Sequence, residues 1–163
     1  MTLEHALEET GVGVLVIGPS TRLSDGARIF AAMSEALLER FVSGEGATLT
    51  IEQRAYAAML LDYASAHAGV GALELTPIDV EYVVLYAFPR QVACDPSRAH
   101  DILIGVRALV AFLERDGGMV TVGRCGKLLD GDAAVARLER RLADRLLWGP
   151  AKRKLMSDHA VAS

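Results

Sequence analysis

The densest gathering of chemically capable side chains is Cys94-Asp95 followed by His100-Asp101. A thiol, an imidazole and two carboxylates this close together are the types needed for a nucleophile and its base, or for part of a metal site. Their placement argues for less. Asp95 before Pro96 is accounted for as a helix cap, and His100 and Asp101 fall off the apolar stripe of that helix, toward solvent. The four histidines, His5, His67, His100 and His159, are scattered and contain no i,i+4 pair. Cys94 and Cys125 lack ligand spacing, Cys125 has no base near it in the chain, and there is no Gly-x-Ser-x-Gly elbow. No catalytic residue, metal or cofactor is expected, and the balance leans away from an enzyme.

Anion chemistry has two candidate places. Gly11 to Gly18 resembles the approach to a phosphate loop, but it has no G-x-x-x-x-G-K-[ST] and its glycines flank the apolar run instead of following it. A small-molecule or anion pocket at the Gly18–Ser24 loop is one alternative reading. The other is nucleic-acid binding through Arg137, Arg141 and Arg145, which form one i,i+4 row, with Lys152-Arg153-Lys154 beyond them. No aromatics interleave with that row and the net charge is −4. The same pattern suits an ordinary solvated face.

These groups must be positioned by helices. With 163 residues the chain reads as a single helical domain, with a flexible tail from about residue 157. Hydrophobic residues make up 52% and aromatics 6%, so small side chains allow close helix packing, and the apolar excess hints at a buried partner surface. Charge is polarised: residues 1–81 carry four basic and 12 acidic side chains, residues 137–163 seven basic and three acidic. That polarity suits ends that face each other, or a basic tail docking on an acidic partner or another copy. No targeting signal or membrane span is read, and two thiols without ligand spacing fit a cytoplasmic location.

Helix signals recur along the chain. One helix is expected from Ser24 or Asp25 to about Val42, with Met33, Leu37, Leu38 and Phe41 inward. Thr50-Ile51-Glu52-Gln53 is a capping box opening a second helix to about His67. Thr76-Pro77-Ile78-Asp79 opens a third, which Pro89 should stop near Ala87. Val80, Tyr82, Val83, Val84 and Tyr86 also suit a strand, but the Thr-Pro-x-Asp start favours helix. Asp95-Pro96 opens a fourth helix, with Ala99, Ile102, Leu103, Val106, Leu109, Val110 and Leu113 inward and Gly117-Gly118 ending it. Residues 119–129 read as a strand or a short helix. A last helix runs from Asp130 or Asp132 through Leu147, with Leu146 inward. The expectation is an all-α, compact bundle of five to six helices, with a possible short extended segment near residues 12–17.

Three stretches carry a resemblance. Tyr86-Ala-Phe-Pro-Arg-Gln-Val-Ala-Cys-Asp-Pro96, Ala108-Leu-Val-Ala-Phe-Leu-Glu114 and Trp148-Gly-Pro-Ala-Lys-Arg-Lys-Leu-Met156 resemble helical regions of uncharacterised bacterial proteins, some of which carry a SEC-C zinc motif. The Cys-rich motif itself is absent here, so the resemblance implies an all-helical module and no activity. Two aromatic-and-cation pairings remain, Phe88 with Arg90 and Trp148 with Lys152. Arg90 and Lys152 each follow a helix end, where a cation caps the last carbonyls; alternatively, with Phe88, Trp148, Arg153 and Lys154 they form the expected partner-binding set, for a protein partner or for the chain itself as a homo-oligomer.

Overall fold

The computed structural model describes residues 25–161, which form helices and connecting turns with no strand among them. The Gly18–Ser24 loop and the candidate extended segment at 12–17 lie outside the described residues. The helices are α1 (Asp25–Ser43), α2 (Ile51–Ala68), α3 (residues 77–91), α4 (Ala99–Arg115), α5 (Val122–Leu129), α6 (Gly131–Ala143) and α7 (Pro150–Val161). Among the described residues that is seven, slightly more than expected.

Local signals set most boundaries. Thr50 accepts the Gln53 amide and the Gln53 side chain answers on the Thr50 amide, which closes the capping box of α2. Thr76 and Asp79 do the same for α3. Asp95 takes the Ser97 amide at 2.8 Å, and a short 3₁₀ turn leads into α4. Gly117, at φ 87°, releases α4, and the Gly118 amide bonds back to the Leu113 carbonyl.

The core lies between α2 and α4, with α3, α5 and α6 packed around them. Leu60, Leu75, Val80, Phe88, Ile102, Leu109, Leu113 and Leu138 are fully buried there. The closest approach is at Gly105, where the backbone of Gln53 occupies the space of a missing side chain. Gln53 also donates to Asp101 at 2.9 Å and ties the two helices at that crossing.

Four expectations are corrected. Pro89 does not stop α3. Residues Pro77–Tyr82 are α-helical, Val83–Ala87 form a π-turn, and Phe88–Gln91 continue the helix. Proline withholds the N–H that would reach the Leu85 carbonyl, and Arg141 from α6 donates to that oxygen at 2.9 Å. The last helix does not run through Leu147: α6 ends at Ala143, Leu146 stands 88% exposed, and Pro150 opens a further helix. The segment from 157 on, expected as a tail, is helical as far as Val161. Met33, expected inward, is exposed. It borders a shallow cleft with Leu37 and Leu73, where Glu74 is the one titratable group among the described lining residues.

Candidate functional site

The two aromatic-and-cation places do meet, and their meeting is structural. A helix leaves its last carbonyls without intrahelical donors. In α3 the Phe88 carbonyl takes the Val92 amide at 2.9 Å, the Arg90 carbonyl takes the Gly149 amide at 2.8 Å, and the Pro89 carbonyl takes the Lys152 ammonium at 2.9 Å. The chain segment at 148–152 thus caps α3 from outside. Gly149 is buried against it, where a Cβ would press to 3.1 Å from the Arg90 oxygen. Trp148 is half-buried, donates through Nε1 to the Leu142 carbonyl at 2.8 Å, and lies 4.9 Å from the Lys152 Nζ in cation–π geometry.

Two members of the expected partner-binding set are buried. Phe88 is wholly buried, edge-on to Tyr63 with ring centroids 5.6 Å apart. Lys152 is 1% exposed. Its stem packs inward because an orphan carbonyl and an indole face hold the ammonium where water would otherwise be needed. Arg90, Arg153 and Lys154 are exposed.

No carboxylate among the described residues pairs with Lys152. Burial lowers its pKa from the ordinary 10.5 to about 8, with the nearby Cys94 acting weakly the other way. Between those values the unfolded chain holds the proton more often than the folded one, so stability from this group rises with pH. Burial pushes the Cys94 thiol up from 9 to about 11, which lowers stability above pH 9. The window that isolates Lys152 is thus pH 8 to 9. Raising the pH from 7 to 9 is expected to increase the melting temperature of the wild-type chain relative to Lys152→Met. An identical change in both proteins, measured by circular dichroism, would contradict a buried amine. The same burial holds the Cys94 thiol in its protonated form at neutral pH.

The arginine row serves carbonyls and rings. Arg137 donates to the Lys127 carbonyl, Arg141 to that of Leu85, and Arg145 lies 5.7 Å from the Trp148 ring centroid. His67, His100, Cys94 and Cys125 do not converge, and no group of three His, Cys, Asp or Glu among the described residues is placed to hold a metal. No helix of the described residues is long and apolar enough to cross a membrane.

An exposed apolar stripe lies elsewhere, on the outer face of α3. Val80, Val83, Val84, Ala87 and Phe88 face the core, which leaves Ile78, Tyr82 and Tyr86 outward at 77%, 45% and 52% exposure. Residues four apart drift by about 40° on an α-helix. The π-turn widens the spiral at 83–87 and brings Tyr86 back into line with Tyr82. The two rings stack with centroids 5.9 Å apart, Arg141 covers Tyr86 at 4.4 Å, and His67 meets Tyr82 edge-on at 6.1 Å. His67 is held in turn by Gln91 at 2.9 Å. The stripe is thus an aromatic surface set in place by its neighbours. Its signal was present in the spacing, since filling the inner face with valines forces 78, 82 and 86 outward. Comparison with protein-family models, with curated proteins and with solved structures finds no match.

Proposed function

We propose that this chain is a non-enzymatic interaction module whose contact surface is the outward face of α3. The observation that carries the reading is the line Ile78, Tyr82 and Tyr86, three large apolar side chains in solvent on one helix. Tyrosine and arginine dominate contact energetics where they are rigid, because little side-chain freedom is lost on docking. The Tyr82–Tyr86 stack under Arg141 meets that condition. The buried thiol and the scattered histidines support the absence of covalent chemistry. The free cysteines Cys94 and Cys125 suit a cytoplasmic setting.

Site-specific photo-crosslinking in the expressing cell tests this. Benzoylphenylalanine at position 82 or 86 is expected to give discrete protein adducts, and the same group at the exposed Asp132 or Ser157 is not. Equal labelling at all four positions, or none at any, would remove the reading.

A further inference from the structure

The face of α3 is self-complementary in charge as well as apolar, and its two ends carry opposite signs. Glu81, and Glu74 just before the helix, are exposed near its N-terminal end; Arg90 is exposed at the C-terminal end and Arg141 lies over Tyr86. Glu81 and Arg90 form no ion pair among the described residues. Arg40, Arg98, Arg107 and Arg115 all do, with Asp116, Asp101, Asp130 and Glu45. Two charges of opposite sign are therefore left unpaired, Glu81 beside the apolar line between Ile78 and Tyr82 and Arg90 beyond its C-terminal end.

We infer that the occupant of this face is a second copy of the chain, docked antiparallel about a two-fold axis that crosses α3 between Tyr82 and Tyr86. This rests on the interaction-module reading and adds the identity and register of the partner. About such an axis Tyr82 of each copy meets Tyr86 of the other, Ile78 lies under the stem of the second copy's Arg90, and Glu81 comes within reach of that guanidinium. Each contact occurs twice, as an isologous interface requires. A parallel arrangement would set Glu81 on Glu81 and Arg90 on Arg90, and the helix dipoles would also repel. Head-to-tail docking would need two different patches and, unless a ring closed, would leave one terminal Glu81 and one terminal Arg90 free. With three partly exposed apolar side chains per copy, the dimer is a reversible one with a Kd of roughly 1–100 µM.

Sedimentation velocity over that concentration range, with Glu81→Arg, Arg90→Glu and the double variant carrying both, tests the register. The wild-type chain is expected to dimerise. Each single reversal should weaken the dimer at least tenfold, because it places like charges together twice. The double variant should recover it, because both pairs reform with exchanged signs. Singles without effect, or a double variant no better than the singles, would overturn the antiparallel register. A wild-type chain that stays monomeric while position 82 crosslinks a different protein would overturn the second-copy assignment and leave the interaction module standing. Monomer together with no crosslink would end both.

Discussion

Replacing Gly105 with alanine is expected to lower the unfolding midpoint by roughly 6–12 °C, equivalent to about 3 kcal/mol or more. A methyl group there would lie 2.9 Å from the Gln53 carbonyl carbon and overlap its oxygen. The obstacle is backbone, and it is pinned. Gln53 belongs to the capping box with Thr50 and its side chain is bonded to Asp101 on α4. Relief therefore requires α2 and α4 to separate, which loosens Ile102, Val106 and Leu109, all fully buried. Alanine gains about 1 kcal/mol in helix propensity over glycine, and the figure above is net of that. Differential scanning calorimetry measures the shift. An unchanged or raised midpoint would mean that the crossing is looser than described.

Lys152→Glu is expected to release α7 while the rest of the fold persists. The substitution puts a carboxylate where an ammonium now meets the Pro89 carbonyl and the Trp148 ring, both of which present negative charge density. Placing an unpaired carboxylate in that buried site costs several kcal/mol. Because the segment at 149–152 is what caps α3, that loss falls on α7 and on the last turn of α3. Amide exchange at residues 151–161 should accelerate by roughly a hundredfold or more, with α2 and α4 unchanged. Unchanged protection of α7 would contradict the capping role. Lys152→Met keeps most of the volume and removes the buried charge, so it is expected to hold α7 in place far better than Glu.

What could be read from the sequence was what depends on neighbours within a few residues. The caps at Thr50, Thr76 and Asp95 and the stop at Gly117-Gly118 are contacts between adjacent turns, and each stands as expected. The all-α class followed from them. Pro89 was misread because its compensation comes from far along the chain: Arg141, 56 residues beyond Leu85, supplies the donor that proline lacks. Lys152 could be read as a cation that caps helix-end carbonyls or as a partner contact; capping is what it does, but on a carbonyl 63 residues upstream. A basic run near a terminus ordinarily faces water, and nothing local marks one lysine of three as buried. The break after Ala143 is harder to read. Leu138 and Leu142 continue to Leu146 at perfect helical spacing, yet the helix ends where Trp148 turns back to bond the Leu142 carbonyl. The face of α3 was within reach. The valines at 80, 83 and 84 match strand and helix equally, and once the helix is chosen they leave Ile78, Tyr82 and Tyr86 no place but the surface.

A dilution series of ¹H–¹⁵N correlation spectra tests most directly where the chain makes contact. Between roughly 10 µM and 500 µM, around the Kd expected for a weak interface, the resonances of Ile78, Glu81, Tyr82, Tyr86 and Arg90 should shift together along one binding curve. Shifts confined to Trp148 through Lys154 would contradict the assignment of the α3 face, and none anywhere would overturn the second-copy assignment.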